Sequence, residues 1–224
     1  MTDPQTFGGA SSEPADLARF AWDALASEPG TGVSISNLDG RLLWCNDEFA
    51  RIIHGESRRA ADIIGRTWTE QGLPPDWIAE RMAIAKRISE DAKPVLVRTI
   101  WRGYQQFSWA YPIPGEAGTP VRFLAITRRI PGKLDAAGVD ILESQVARLG
   151  DLDVLSGREL EVLALIGRGL SNKEISRALE RSEKTVDNHR QAIARKLHAT
   201  GRIQLAEVAR QAGLEVEDRE RKRV

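Results

Sequence analysis

Apolar residues recur with two periods over the first 130 positions of the chain, and with a single period of three to four from there to the end. Leu17, Phe20, Ala21, Ala24 and Leu25 form a stripe that predicts a helix over 14–27, with Ser12 as its cap, Pro14 in its first turn and Pro29-Gly30 at its end. Val33-Ser34-Ile35-Ser36 alternates as a strand does, and Asp39-Gly40 predicts a hairpin turn into Leu42-Leu43-Trp44. Asn46 can cap a helix carrying Phe49, Ile52 and Ile53. A short helix is expected near 57–63, ending at Gly65, and a long one from Pro74-Pro75 to residue 91. Three further strands are predicted over 94–102, 105–113 and 120–129, parted by Gly103 and by Pro114-Gly115 with Gly118. The order is two strands, several helices, then three strands.

Beyond residue 130 the pattern is helical. Val139, Leu142, Val146 and Leu149 follow an a-d-a-d spacing within a helical linker expected over 132–151, under two heptads long. It can serve as a dimer seam or as a helix packed on its own sheet. Ser156-Gly157-Arg158-Glu159 and Ser171-Asn172-Lys173-Glu174 are two capping boxes, in which each side chain satisfies the other residue's free backbone N–H. The first opens a helix with Leu160, Leu163 and Ala164 inward, ended by Gly169. The second opens a short helix with Ile175, Ala178 and Leu179 on one face. Ser182 caps a third helix after a tight turn. A fourth, over 200–212, directs Leu205, Val208, Ala209 and Ala212 inward, with Gly213 behind it.

The third of these helices is amphipathic in an informative way. Val186, Ile193 and Leu197 make its apolar stripe, and helical spacing gathers Lys184, Asp187, Asn188, Gln191 and Arg195 on the opposite face. A short helix, a tight turn and a longer helix with polar and basic residues outward is a helix-turn-helix arrangement, whose second helix fits the major groove of B-DNA. Asn and Gln can pair bidentately with adenine, and Asp can accept from cytosine N4. A small bundle with a solvated polar face satisfies the same pattern.

Composition sharpens the division. Lys and Arg number 32, as do Asp and Glu, so the formal net charge is zero, which by itself argues against a nucleic-acid partner. The charge is uneven, however: residues 184–210 hold six basic side chains and two acidic ones. All 13 aromatic residues precede position 124, so the two parts must have different kinds of core. A segment with no ring has no stacking platform for unpaired bases, which favours groove reading of a duplex. One cysteine, Cys45, excludes an intramolecular disulfide and a Cys-based zinc cage. No apolar run approaches the length of a membrane span, and the first residues lack a secretory signal, so a cytoplasmic protein without a membrane partner is expected. No metal cluster, phosphate-binding loop or Ser/His/Asp grouping points to an enzyme.

Leu155-Ser156-Gly157-Arg158-Glu159-Leu160-Glu161-Val162-Leu163, Gly169-Leu170-Ser171-Asn172-Lys173-Glu174-Ile175, Lys184-Thr185-Val186-Asp187-Asn188-His189-Arg190 and Arg195-Lys196-Leu197 resemble the LuxR-type (FixJ/NarL-type) DNA-binding domain, without gaps, over 152–214. The resemblance implies a four-helix domain whose third helix reads the major groove and whose fourth commonly pairs two protomers. Asp187, Asn188 and Gln191 fall at the base-reading places; Lys173, Lys184, Thr185, Arg190, Arg195 and Lys196 fall at the phosphate contacts. Asp187 departs from members with Lys there, which leaves the preferred sequence open and weakens nonspecific affinity. Sigma-factor region 4 has a similar motif but requires a preceding helical region, where residues 30–130 read as strands and turns.

Residues 30–131 resemble a PAS domain, through Ile35-Ser36-Asn37-Leu38-Asp39-Gly40-Arg41-Leu42-Leu43-Trp44-Cys45-Asn46-Asp47-Glu48-Phe49 and Ile63-Ile64-Gly65-Arg66. That implies an α+β domain, a five-stranded antiparallel sheet with helices over one face, used for sensing or dimerisation and following a flanking helix over 1–29. An all-α helix-turn-helix domain then completes the chain. Trp44, Trp68, Trp101 and Trp109 can line a small-molecule pocket or fill a core. Flavin-adduct chemistry of the LOV type needs a Cys on a helix, whereas Cys45 ends the second strand. Haem would need His54, which sits off the long helix. No cofactor is required by the sequence, and none is identified.

These readings converge on a one-component, sequence-specific regulator of transcription that binds double-stranded DNA as a homodimer. Its dimer contacts are expected among Val139, Leu142, Val146, Leu149, Leu205 and Val208, and its partners can include RNA polymerase and a small-molecule ligand. The alternatives are a regulator that docks its helix-turn-helix on another transcription factor or on polymerase, and a flavin- or haem-binding photo- or redox sensor. Residues 215–224, a mixed charge run, read as a solvated, frayed tail.

Overall fold

The computed structural model of the chain describes residues 13–115, 122–132, 134 and 141–224. Ser12, Gly118 and Val139, to which the sequence assigned a cap, a turn and a dimer contact, lie outside the described residues.

The N-terminal unit begins with α1 (Glu13–Ser27), β1 (Thr31–Asn37), β2 (Leu42–Cys45), α2 (Asp47–His54), a 3₁₀ turn at Ala60–Asp62 and α3 (Pro75–Asp91). It continues with β3 (Val95–Trp101), β4 (Tyr104–Ile113) and β5 (Arg122–Arg129). Asn46 organises its start. Its Oδ1 accepts from Phe49 N (2.9 Å), capping α2, and from Val33 N (3.0 Å), while Nδ2 donates to Ala26 O (2.9 Å) and Thr31 O (2.8 Å). One side chain thus joins the end of α1, the first strand and the second helix. At the β1–β2 turn Gly40 has φ +78°, and a Cβ there would stand 2.8 Å from the Trp68 ring. The turn needs glycine for its conformation and for the closeness of the indole.

The sheet runs β2-β1-β5-β4-β3, antiparallel throughout, as the PAS resemblance implies. A sixth strand, β6 (Ile141–Glu143), adds to its edge parallel to β3. One face, with Ser34, Phe123, Ala110 and Val97, turns toward α2 and α3; register puts Ile35, Leu124, Trp109 and Leu96 on the other. The apolar stripe of α1 is not buried as periodicity suggested. Leu17 is 64% and Phe20 74% exposed, and the helix contacts the sheet through Trp22, whose ring centroid lies 5.2 Å from that of Trp44.

The expected linker helix is corrected in the described part of the segment. Leu142 lies in β6, Val146 in β7 (Val146–Ala147) and Leu149 just before a 3₁₀ turn at Gly150–Val154. Val146 and Leu149 are buried, 4% and 2% exposed, in the core of the chain itself rather than on a seam. A short apolar repeat holds no helix by itself, and the open edge of β3 offers Leu96, Val97 and Arg98 as backbone partners to Ile141, Leu142 and Glu143.

The C-terminal unit contains α4 (Gly157–Gly167), α5 (Asn172–Ala178), α6 (Glu183–Lys196) and α7 (Arg202–Ala212). Both capping boxes form: Ser156 with Glu159, and Ser171 with Glu174. Leu160, Leu163 and Ile166 of α4 pack with Ile175, Val186, Ile193, Leu205, Ala209 and Ala212. Ile100, Ala147, Leu149 and Leu152 belong to the same buried cluster, so the cores of the two units are continuous.

The tail is ordered, which overturns its reading as a frayed end. After Gly213 the chain makes a 3₁₀ turn at Val216–Glu220 and a short strand, β8 (Lys222–Arg223), parallel to β7. Asp218 is 3% exposed and meets Arg98 of β3, itself 5% exposed, with Nη2 3.1 Å from Oδ2. Arg98 also donates to Glu143 (2.8 Å) and to Gly213 O. Burial opposes the charge of Arg98, but the Asp218 and Glu143 carboxylates more than offset it, so its pKa lies above that of a free Arg. Arg221 bonds Asp218 and Glu143, Arg219 meets Glu161, and Lys222 Nζ lies 2.8 Å from Asp76. A mixed charge run pairs with separate elements only once the fold brings them near.

Candidate nucleic-acid interface

The helix-turn-helix is built from α5, the turn through Leu179–Ser182 and α6. Ser182 caps α6 by accepting from Thr185 N (3.1 Å), and Glu180 takes φ +52° to turn the chain. Ile175, Val186 and Ile193 are buried between α4, α5 and α6, each at most 1% exposed. That packing fixes the roll of α6 and leaves its polar face outward.

On that face Lys184, Asn188, Gln191 and Arg195 are exposed, and Lys173 stands exposed on α5. Asp187 is half-buried at the centre of a network. It accepts from Arg190 Nη2 (2.8 Å) and Nε (3.2 Å), from Gln191 Nε2 (2.7 Å) and, at 3.5 Å, from Asn172 Nδ2 of α5. The hydrogen bond from Arg190 holds the Asp187 carboxyl below the usual carboxylate range, with burial acting the other way. Asp187 therefore orients Gln191 and Arg190 while cancelling charge on the outward face of α6. Asn172 is the member that helical spacing did not single out, because its contact crosses the turn.

The phosphate candidates divide. Lys184, Arg195 and Lys173 are exposed, whereas Thr185 is tied to Ser182 through its hydroxyl (2.8 Å) and Lys196 Nζ lies 2.7 Å from Glu159 Oε2 of α4. Burial pushes the Glu159 carboxyl up, but hydrogen bonds from Lys196 and Ser156 bring it below its ordinary value. Of the remaining dimer candidates, Leu205 is 1% exposed inside the core of its own unit. Val208 is half-buried and lines a cleft with Gln211 and the turn residues Arg102, Gly103 and Tyr104.

The four tryptophans proposed for a pocket lie on two faces. Trp68 and Trp101 line a cavity between the sheet and α2–α3. Trp44 and Trp109 do not; Trp109 pairs in register with Leu96 and Ile126 on the opposite face, and Trp44 packs on Trp22. Counting tryptophans could not assign faces. It also missed Trp77, Arg81 and Gln106, which do line the cavity. For Gln106 the signal was present, as Gln106 and Ser108 alternate in a strand whose inward face should be apolar. Arg81 has a pKa pushed down to about 10 by burial, with Glu80 acting the other way. His54 is half-buried with its Nε2 3.0 Å from Gln71 Oε1, and burial lowers its pKa. Cys45 is buried in β2, and burial, aided by Asp47, pushes its thiol up to about 12. Neither has the exposed, activated character of a reactive group.

Residues 153–209 match the family described as bacterial regulatory proteins, luxR family. The chain is 40% identical over 63 residues to the virulence factors putative positive transcription regulator BvgA of Bordetella pertussis, a stretch that covers 28% of this chain and 30% of BvgA. It is 46% identical over 56 residues to the oxygen regulatory protein NreC of Staphylococcus carnosus, covering 25% of this chain and 26% of NreC. The chain thus spans less than a third of the length of these curated relatives. Among solved structures, a VqmA–ligand–DNA complex from Vibrio cholerae is 21% identical with a TM-score of 0.49, over 89% of this chain and 90% of that one. The C-terminal unit is a LuxR-type helix-turn-helix domain.

Proposed function

We propose that this chain, ending in a LuxR-type helix-turn-helix domain, is a transcription regulator that reads duplex DNA with α6 under the control of its PAS-like N-terminal unit. The observation that carries the reading is the free face of α6. Lys184, Asn188, Gln191 and Arg195 stand exposed together on a helix fixed by buried Val186 and Ile193. Asn188 and Gln191, with Asp187, are the base-reading groups. Lys173, Lys184 and Arg195 are the phosphate contacts available without breaking another bond, and Arg190 joins them when it leaves Asp187.

Two copies act together on half-sites related by two-fold symmetry, roughly 34 Å between centres. The N-terminal unit leaves α6 open and instead engages α7: Val208 and Gln211 face the Arg102–Tyr104 turn, and Gly213 abuts Gln105. Control is exerted on the placement of the paired reading helices, as a shift between docked and released populations. The input is a small molecule held by the N-terminal unit. Among the described residues no helix is long and apolar enough to cross a membrane, and a DNA partner places the protein in the cytoplasm.

The test is fluorescence anisotropy of duplexes selected from a random pool by the full chain. Asn188→Ala is expected to lose roughly 1–3 kcal/mol of discrimination at one base position. Lys184→Ala should weaken all sequences alike and flatten the salt dependence. Parental binding by both variants overturns the assignment of α6. Docking on another regulator predicts no salt-sensitive duplex binding at all.

A further inference from the structure

Three arginines line a cleft of about 340 Å³ where the N-terminal unit meets the chain leading into the C-terminal one. Arg102 comes from the turn between β3 and β4, Arg129 from the end of β5, and Arg148 from just after β7. All three are half-buried. Other recessed arginines of the chain meet carboxylates, as Arg98 meets Asp218, Arg190 meets Asp187 and Arg221 meets Glu143. Among the described residues, Arg102, Arg129 and Arg148 meet none, and the Arg129 Nε is buried without a hydrogen-bond partner. Rings hold two of them instead: the guanidinium of Arg129 lies 4.4 Å from the centroid of Tyr104, and that of Arg148 lies 5.4 Å from that of Trp101. Stacking occupies the face of a guanidinium and leaves its N–H edge for an acceptor. Arg102 has φ +55° in a two-residue turn, at a place that Asn, Asp or Gly usually fills. The turn itself does not call for arginine there.

Like charges gathered in one recess raise each other's energy until an anion answers them. His54 nearby registers that field: burial lowers its pKa first, a hydrogen bond from Gln71 opposes, and Arg58, Arg148 and Arg102 lower it further. Glu56 and Asp151 also line the cleft, but both are exposed, so water screens them more than the recessed cations. Three cations against two such carboxylates leave the lining positive. A carboxylate is planar and offers its two oxygens along one edge. A phosphoryl group is tetrahedral, carries up to about two charges near neutrality and accepts from several directions at once. Duplex DNA reaches side chains that project, such as Lys184 and Arg195, whereas these guanidiniums sit back in a cleft of small-ligand size.

We propose that this cleft binds a small phosphorylated anion whose phosphoryl oxygens bridge Arg102, Arg129 and Arg148. The effect on DNA rests on the regulator reading above; the binding itself does not. Bridging ties the β3–β4 turn to the segment from Arg148 to Asp151, where Gly103 N already donates to Arg148 O (3.2 Å). The adjoining cleft shares Arg102, Tyr104 and Asp151 and reaches Lys196 and His198 at the end of α6 and Val208 of α7. An anion held here therefore acts on the contact through which the two units are docked.

The full chain is titrated calorimetrically with inorganic pyrophosphate and with succinate, each at one ionic strength set with sodium chloride. Pyrophosphate is expected to saturate one site per chain and to bind about tenfold tighter than succinate. Arg129→Gln and Arg148→Gln, each checked for folding by circular dichroism, should each weaken pyrophosphate about tenfold or more. Arg87→Gln, an exposed change on α3 outside the cleft, should leave it unaltered. The proposal is overturned by heats no larger than those of the salt control, by succinate binding as tightly, or by parental affinity in both cleft variants. Equal weakening in Arg87→Gln overturns it too, since the effect would then be one of overall charge. Duplex binding without pyrophosphate is measured on the same proteins. If Arg129→Gln lowers it and flattens its salt dependence, the cleft is a DNA-phosphate contact and the small-anion assignment falls. If the parent binds pyrophosphate but no duplex, the regulator reading fails and this one stands.

Discussion

Asp187 sits among groups that would touch DNA and holds two of them. Its spacing to Arg190 and Gln191, three and four residues along a helix, makes those contacts legible in the sequence. The contact from Asn172 depends on how α5 crosses α6 and is not legible there. Asp187→Ala would release Arg190 and Gln191 and remove one negative charge. Affinity for arbitrary duplex is expected to rise and the slope of log K against log salt to steepen by about one unit, measured by anisotropy across a salt series. An unchanged slope would show that Asp187 carries no charge penalty. Glu159 offers a second residue-level test, through pH. Its folded pKa lies below the ordinary Glu value, so its contribution to stability is fully present above that ordinary value and is lost as pH falls through the lower folded one. The stability gap between the parent and Glu159→Gln, followed by urea melts, should therefore close on the acid side and stay constant toward neutrality.

At the scale of elements, caps and periodicity located α2, α3 and the four C-terminal helices, because each is specified by neighbours within a few residues. Ser171→Ala should cost about 1 kcal/mol in urea unfolding through loss of the cap of α5. The same reasoning mistook the linker and the tail. Ile141-Leu142-Glu143 and Lys222-Arg223 are strands because an unpaired backbone edge waits for each of them, and an edge is invisible in a one-dimensional pattern. Arg98 and Asp218, 120 residues apart, form their pair only after both segments dock. Asp218→Ala is expected to destabilise the chain by about 3 kcal/mol, toward the lower end for a broken buried pair because Glu143 still answers Arg98. Arg98→Met combined with Asp218→Leu should recover most of that loss in the same denaturation assay; if it does not, the pair contributes more than charge compensation.

In the whole molecule the two units share one buried cluster, from Ile100 and Leu149 through Leu152 to the helices around Leu160. Calorimetry of the parent chain is accordingly expected to give a single unfolding transition, and a chain ending at Leu214, which lacks the ordered tail but keeps that cluster, to give one at a lower midpoint. Two transitions in the parent would mean that the shared cluster does not couple the units. The sequence by itself determined the fold class of each part and which face of α6 is polar and exposed. These follow from propensity, capping and periodicity, which act over a turn of helix or the length of a strand. Only the tertiary structure decided which tryptophans enclose a cavity, which strand edge captures the linker and where the charged tail binds. Those depend on sheet order and on the burial of charges far apart in the chain, and such contacts gain their energy only when distant segments exclude water together.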